Sequence, residues 1–286
     1  MHYRSSIGVL ALTAALSATI AGAYAFDETK YPDWKGQWSR MRFPGVAGQP
    51  SFDQTKSAGA GQGAPLTPEY QLIFEENLKD QAAGGQGIDP TSTCLSPGMP
   101  RIMTAYEPME FVITPQTTHI LMEHIHDSRR IYTDGRSWPE YTEPTFAGYS
   151  IGQWRDEDGS GRYSVLEVET RGFKGPRTYD AAGIPLHKDN ETVIKERFHL
   201  AKDNKDELQD EITINDHALT RPWTVTKHYK REAAQRPVWR ESVCAENNSH
   251  VEIGGEHYYL SASGELMPAK KDQAPPDLKF FGPTKK

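Results

Sequence analysis

The side chains with the greatest capacity for chemistry are concentrated between positions 119 and 132. This segment contains histidine, carboxylate, arginine and tyrosine groups, which exchange protons near neutral pH or bind anions. The set comprises His119, Glu123, His124, His126, Asp127, Arg129, Arg130 and Tyr132. The segment is predicted as one strand or as a bent strand pair. On one strand alternate residues share a face, so His124, His126 and Tyr132 would lie on one side. We therefore predict these three as catalytic residues in proton-transfer or elimination chemistry that needs no cofactor.

Three further side chains could hold a substrate beside that face. Arg130 lies on it and offers two parallel N–H groups to a carboxylate, Arg129 adds a second cation, and Trp138 offers an aromatic surface. These three are the predicted substrate-binding residues. In the alternative interpretation, the opposite face, with apolar residues such as Leu121 and Ile131, packs on the core and leaves the histidines in water.

A second pattern of oxygen-bearing side chains follows Arg155. Counting from Asp156, position three is Asp158, position five Ser160, position six Gly161 and position twelve Glu167. This is the spacing of an EF-hand calcium loop, in which oxygen ligands surround the ion and glycine permits a sharp turn. The flanking residues have strand character rather than helix character. The segment is therefore either a hairpin clipped by a structural calcium ion or an acidic hairpin turn.

The chain has two cysteines, Cys94 and Cys244. In an oxidising compartment an even pair indicates one disulfide that closes a long loop, the alternative being two separately buried thiols. Neither cysteine has the CxxC or CxxH spacing of a metal site. We predict a Cys94–Cys244 disulfide.

The first 25 residues have the pattern of an export signal. Arg4 gives a positive start, residues 7–21 form an apolar stretch, and Ala23 and Ala25 bound a small-x-small cleavage site. The apolar stretch is shorter than the roughly 20 residues of a membrane span. We expect a periplasmic or secreted protein with no membrane span.

The charge and the motifs narrow the function classes. The 286 residues have a formal net charge of −7, which argues against general nucleic-acid binding. No G-x-G-x-x-G segment of the sequence opens a helix after a strand. The expected partner is a small-molecule ligand or substrate, and the oligomeric state is left open.

The residue patterns predict a mainly antiparallel all-β protein with one helix. Thr67 and Pro68 have the types of a helix start, and apolar residues at helical spacing extend the helix over residues 68–81. Short β-branched and aromatic runs then predict eight strands, at residues 110–114, 119–133, 148–154, 163–170, 192–200, 207–215, 223–230 and 238–243. We favour a calycin-like or lipocalin-like barrel of about eight strands with an N-terminal helix, because closure removes exposed edges. A two-sheet β-sandwich is the alternative.

These elements divide the chain into four parts. Residues 1–25 are the signal peptide, and residues 26–108 are an N-terminal extension. The extension contains the helix and a flexible Gly-rich loop at residues 45–65. Residues 109–265 are the barrel domain, and residues 266–286 are a C-terminal tail.

Four strings carry a resemblance to known proteins. They are PGMPRIM at residues 97–103, RRIYTDGR at 129–136, YSIG at 149–152 and RPWTVT at 221–226. In these strings the chain resembles a family of exported bacterial hypothetical proteins, which implies export and a common fold over most of the mature chain. The chain also resembles cofactor-free lyases that act on lignin-derived phenolic dimers.

Two functions follow from these patterns. The first is an exported, cofactor-independent lyase or isomerase that acts on a small aromatic or apolar carboxylic acid. The second is a non-catalytic periplasmic barrel that binds a small molecule. A lyase needs titratable groups that converge on one point, whereas a binding protein needs only an apolar pocket with a polar anchor.

Overall fold

Over the residues that the structure describes, the protein forms a closed β-barrel of nine strands in chain order, an α-helix at residues 68–82 and a second, small sheet. The computed structural model describes residues 26–41, 63–105, 107–234, 237–240, 244, 250–261 and 263–276. The barrel strands are β1 (Gln37–Arg40), β2 (Met109–Ile113), β3 (Thr117–Met122), β4 (Ser128–Tyr132), β5 (Tyr149–Arg155), β6 (Val165–Arg171), β7 (Val193–Ala201), β8 (Asn204–Asn215) and β9 (Trp223–Arg231). Pairing of β1 with both β2 and β9 closes the barrel. The predicted all-β barrel with an N-terminal helix is confirmed, with nine strands.

The helix α1 (Pro68–Ala82) begins where its sequence indicates. The Thr67 side chain accepts a hydrogen bond from the Tyr70 backbone N–H, and Pro68 occupies the first turn, where its missing N–H is not needed. The buried Asn77 side chain donates to the backbone carbonyl of Ala182, which attaches α1 to a connection of the barrel. Among the described residues, no helix is long and apolar enough to cross a membrane.

The C-terminal region forms a separate antiparallel sheet of three strands. They are β10 (His250–Ile253), β11 (Glu256–Leu260) and β12 (Leu266–Pro268). The strand predicted at residues 238–243 is wrong for residues 238–240, which have no regular structure; residues 241–243 lie outside the described residues. The predicted signal peptide and residues 45–62 of the predicted flexible loop also lie outside them.

Residues 119–133 form two strands, which agrees with the predicted bent strand pair and not with a single strand. The chain turns back after Met122, and β3 pairs antiparallel with β4. The turn contains a short 3-10 helix (His124–His126) in which Ile125 has a φ of 54°. A β-branched residue rarely adopts this left-handed conformation, and the segment has no glycine, proline or asparagine that would signal a turn. Because the strand breaks, the face predicted from period-two alternation is not continuous.

Alternation within each strand decides which side chains fill the barrel. On β4 the buried residues are Arg129 and Ile131, whereas Arg130 is exposed. The interior holds an aromatic group in which the ring of Trp34 lies 4.9 Å from those of Phe111 and Trp154. Two connections, residues 97–105 and 173–186, add buried side chains to the same core. The barrel is therefore packed rather than hollow over these residues.

Candidate functional site

Four charged side chains from four different strands point into the barrel. They are Arg129 on β4, Glu196 on β7, Asp210 on β8 and Lys227 on β9, and all four are buried. Each faces inward from its strand, and Asp210, for example, lies between the buried apolar residues Leu208 and Ile212. Ionisable groups are seldom enclosed in this way without a partner or a function. These four residues are called the interior cluster below.

Arg129 and Glu196 form a two-pronged ion pair inside the barrel. The two terminal guanidinium nitrogens of Arg129 donate to the two carboxylate oxygens of Glu196, at 2.8 and 2.6 Å. Since β5 and β6 separate β4 from β7, the pair spans the barrel interior. Parallel charge-assisted hydrogen bonds of this kind compensate the burial of both charges. Both terminal guanidinium nitrogens of Arg129 are therefore paired with Glu196 and are not directed at a ligand.

Asp210 is enclosed without a hydrogen-bond partner. Neither of its carboxyl oxygens is hydrogen-bonded to any of the described residues, and the side chain is fully buried. Burial and the nearby Glu196 charge raise the pKa of Asp210 well above its ordinary value, although Arg129 and Lys227 act in the opposite direction. Such a shift favours the protonated form of the Asp210 carboxyl group, which is the form that can donate a proton.

Lys227 lies directly across the β8–β9 pairing from Asp210. Burial and the positive charge of Arg40 lower the pKa of Lys227 to about 7, although Asp180 and Asp210 oppose the shift. Its ammonium nitrogen lies 4.9 Å from the centre of the Tyr179 ring. A substantial fraction of the amine is therefore uncharged at neutral pH, which is the state in which lysine acts as a base or a nucleophile.

Two buried phenol groups lie near Lys227 and Asp210, namely Tyr229 on β9 and Tyr179 in the connection at residues 173–186. The Tyr229 hydroxyl donates to the backbone carbonyl of Met103 at 2.6 Å, whereas the buried Tyr179 hydroxyl has no hydrogen-bond partner among the described residues. Burial raises the pKa of both phenols, which keeps them protonated. The barrel thus places an amine, a carboxyl group and a phenol in one buried environment.

The residues predicted to be catalytic are not brought together. His124 lies in the turn before β4, with its Nδ1 3.2 Å from the Glu107 carboxylate. The Tyr132 side chain lies at the opposite end of β4, in an aromatic group with Tyr149. The side chain of His126 lies outside the described residues. A common site for His124 and Tyr132 is therefore not formed in this conformation.

Arg130 lies on the outside of the barrel, across the β3–β4 pairing from His119. Burial and the Arg130 charge lower the pKa of His119. The alternative interpretation, in which the Ile131 face packs on the core, describes β4 correctly. The catalytic and substrate-binding roles of these outward-facing residues stay predictions.

The outer face of the barrel forms an open groove next to Tyr132. The groove has a volume of about 980 Å³, and its lining includes Arg136, Ile151, Tyr163, Lys195 and Arg197. The Arg136 guanidinium lies 3.7 Å from the centre of the Tyr132 ring, but it also donates to the Asp134 carboxylate at 2.6 Å. That contact lowers the pKa of Asp134 to about 2. Arg136 is thus already paired with a carboxylate of its own chain.

Trp138 belongs to the same outer face. Its ring lies 6.0 Å from that of Tyr149 and 4.6 Å from the Arg171 guanidinium. The predicted binding role of Trp138 is compatible with this surface position, since alternating aromatic and guanidinium groups stack on planar ligands.

In the predicted calcium loop, the carboxylates bind backbone N–H groups. The two carboxylate oxygens of Asp156 accept from the Ser160 and Gly161 N–H groups, at 3.1 and 2.9 Å, and Asp158 accepts from Ser160 at 3.0 Å. Glu167 lies on β6 and accepts from Arg155 at 2.9 Å. The acidic-hairpin interpretation accounts for these contacts, and the bound calcium ion stays a prediction.

The predicted disulfide is confirmed. Cys94 and Cys244 are bonded, with 5.6 Å between their Cα atoms. Cys94 precedes β2, and Cys244 follows β9, the last barrel strand. The bond therefore joins the segment before β2 to the C-terminal region. In a chain with two cysteines, this pairing leaves no free thiol.

Three members of the interior cluster, Glu196, Asp210 and Lys227, were absent from the predicted site. The sequence does contain a signal for each, namely a charged residue at an apolar position of a period-two strand. Lys227, for example, lies between Val225 and Tyr229 on the face of β9 that is otherwise apolar. A charge at such a position indicates either a buried ion pair or a functional group.

The lowered pKa of Lys227 gives a testable pH dependence of stability. The folded protein releases the Lys227 proton at about pH 7 and the unfolded chain at about 10.5, so unfolding takes up a proton between these values. The free energy of unfolding should therefore rise with pH in this window, by at most about 1.4 kcal/mol per pH unit from this group. The part of the free energy of unfolding that is gained in this window is lost again as the pH falls to 7. Urea unfolding at several pH values measures it.

The control for this measurement is a lysine on the outer face. Lys227→Met should remove the rise, whereas Lys195→Met, at an exposed position on β7, should leave it unchanged. Equal pH slopes in wild type and Lys227→Met would contradict the lowered pKa.

No protein-family model matches this chain, and no curated protein matches its sequence. The function is therefore argued from the interior cluster and the surfaces around it.

Proposed function

We propose that this protein is a cofactor-independent lyase that acts on a small aromatic or apolar carboxylic acid, with Lys227 as its reactive amine. The observation that carries the proposal is the pairing of Lys227 with Asp210 inside the barrel. Burial and a neighbouring cation are the two conditions that make a lysine amine nucleophilic at neutral pH. Export to the periplasm or the medium is part of the proposal, and the disulfide supports it because disulfides persist in oxidising compartments.

The chemistry proposed for Lys227 requires a carbonyl group in the substrate. The uncharged amine adds to the carbonyl carbon, and loss of water gives an iminium ion. That cation withdraws electrons from the adjacent carbon, so a carbon–carbon bond or a carbon–hydrogen bond there can break. The protonated Asp210 carboxyl group supplies the proton that the departing water needs. Because both groups are closed off from solvent, the barrel has to open for a substrate to reach them.

The proposal is tested by trapping the iminium ion. The purified protein is incubated with small oxo acids, such as acetoacetate and phenylpyruvate, in the presence of cyanoborohydride, and is then digested and analysed by mass spectrometry. We expect an adduct on the peptide that contains Lys227. Lys227→Met should form no such adduct, and Lys195→Met should form as much as wild type.

The outer groove supports a second candidate function, non-catalytic binding of a small molecule. Its size and its tyrosine and tryptophan side chains suit a planar ligand that carries polar groups. Two results together would favour this candidate and contradict the lyase. Wild type would form no adduct at Lys227, and wild type and Lys227→Met would bind the acids equally well.

A further inference from the structure

A second group of functional side chains lies where two connections of the barrel meet. His187 and Asp189 belong to the segment before β7, and His217 belongs to the turn between β8 and β9. The Nδ1 atom of His187 lies 3.0 Å from Oδ2 of Asp189, and the Nδ1 atom of His217 lies 2.8 Å from the same oxygen. Two imidazole nitrogens and one carboxylate oxygen therefore converge on one point. Partial exposure of all three side chains leaves that point open to solvent.

Buried groups hold the two connections in register. Arg177 is almost fully buried and donates to the backbone carbonyls of His187 and Asp189. The Asp216 carboxylate accepts from the His187 backbone N–H at 2.9 Å and from the Thr192 hydroxyl at 2.6 Å. Asp216 directly precedes His217, so these contacts fix both histidine-bearing segments. Hydrogen bonds of this supporting kind orient the ligands in metal sites.

The Asp189 carboxylate has one oxygen engaged and one directed at the histidines. Its Oδ1 accepts from the Glu191 backbone N–H at 3.2 Å, and its Oδ2 lies against both imidazole rings. The carboxylate is thus held in the orientation of a ligand that offers a single oxygen.

The Nδ1 atom of His187 has two neighbours that require opposite hydrogen-bonding roles of it. The backbone N–H of Asp189 donates to Nδ1 of His187 at 3.1 Å, so that nitrogen carries a lone pair. The same nitrogen lies 3.0 Å from Oδ2 of Asp189, which is also an acceptor when the carboxyl group is ionised. Two lone pairs at this separation repel each other unless a cation lies between them. The contact therefore indicates a place for a positive charge.

We propose that His187, Asp189 and His217 bind a divalent transition-metal ion of the zinc class and leave one coordination position open to water or a ligand. Two imidazole nitrogens and one carboxylate oxygen are a donor set that suits zinc and related ions. Ligand atoms around tetrahedral zinc lie roughly 3.3 Å apart. The Oδ2 atom of Asp189 lies 3.0 and 2.8 Å from the two Nδ1 atoms, and all three ligand atoms lie within 4.8 Å of one another. This site is separate from Lys227 and does not depend on the lyase proposal.

The test is zinc binding by the untagged, purified protein. The protein is stripped with a chelator, dialysed and titrated with zinc chloride at pH 7.5 in a calorimeter. We expect one zinc ion per chain, and cobalt in place of zinc should give the visible absorption bands of a bound ion. His217→Ala and Asp189→Asn should each weaken zinc binding at least about 100-fold.

A histidine–carboxylate pair without a third ligand serves as the matched control. Nε2 of His199 lies 3.1 Å from the Glu211 carboxylate, and among the described residues these two belong to no group of three ligands. His199→Ala should therefore bind zinc as wild type does.

The outcomes separate a metal site from a hydrogen-bonded cluster. His217 is exposed, so its substitution should leave the melting temperature in chelator nearly unchanged. Zinc binding that is absent from wild type, or equally tight in His217→Ala, would overturn the proposal and leave three residues that only join two loops. Turnover is not measured, so the result is independent of the reaction proposed for Lys227.

Discussion

Replacement of Arg129 by methionine should lower the free energy of unfolding by about 3–5 kcal/mol. The substitution removes both hydrogen bonds to Glu196, at 2.8 and 2.6 Å, and leaves that carboxylate enclosed without its cation. The Glu196 charge raises the pKa of Asp210, so a second acidic group lies near the carboxylate that is left behind. Urea unfolding at pH 7 measures the loss.

Two further variants show whether the effect comes from the buried charge. Arg155 and Glu167 form an ion pair on the outer face in which both side chains are about half exposed, so Arg155→Met should cost less than about 1 kcal/mol. In the double variant Arg129→Met with Glu196→Met no charge is left alone, and most of the lost stability should return. A loss in Arg129→Met no larger than that in Arg155→Met would refute the argument.

Removal of the disulfide, by Cys94→Ser with Cys244→Ser, should lower the free energy of unfolding by about 2–5 kcal/mol. The two cysteines are 150 residues apart, so the bond restricts a large part of the unfolded chain. For a loop of this length, the chain-entropy model gives about 5 kcal/mol, the upper end of the range. Denaturant unfolding under oxidising conditions measures the difference.

Reduction provides the control for the disulfide prediction. Wild type treated with a strong reductant should unfold at the same urea concentration as the double variant, because both lack the same crosslink. The variant itself should not respond to the reductant. An oxidised wild type that unfolds at the same midpoint as the variant would contradict the stabilising role.

Strands could be predicted from the sequence where apolar and polar residues alternate regularly and where turn-forming residues mark the ends of the strand. Residues 223–230 were predicted as a strand and β9 is Trp223–Arg231, with Trp223, Val225 and Tyr229 on the same buried face. The helix start at Thr67 and Pro68 was predictable because it depends on local hydrogen bonding. The break near Ile125 was not, since its left-handed conformation is imposed by the pairing of β3 with β4 and not by a residue that favours it.

The parallel pairing of β4 with β5 was also hidden in the sequence. Residue composition predicts that a segment is a strand, but not the direction in which its neighbour runs. Here the long connection after Tyr132 carries the chain back to the same end of the barrel, so that Ile131 lies beside Ser150 in a parallel ladder. The four-residue strand β1 was missed because it is too short to show a period.

The sequence by itself determined the barrel class, the start of α1 and the pair of cysteines that bond, because each depends on local pattern or on simple counting. The site was decided by the tertiary structure. Arg129 and Glu196 are 67 positions apart, and His217 is 28 positions from Asp189. These groups come within hydrogen-bond distance only because the barrel closes and because its connections meet. Burial then alters the chemistry of the groups it encloses, so the low pKa of Lys227 belongs to the fold and not to the residue.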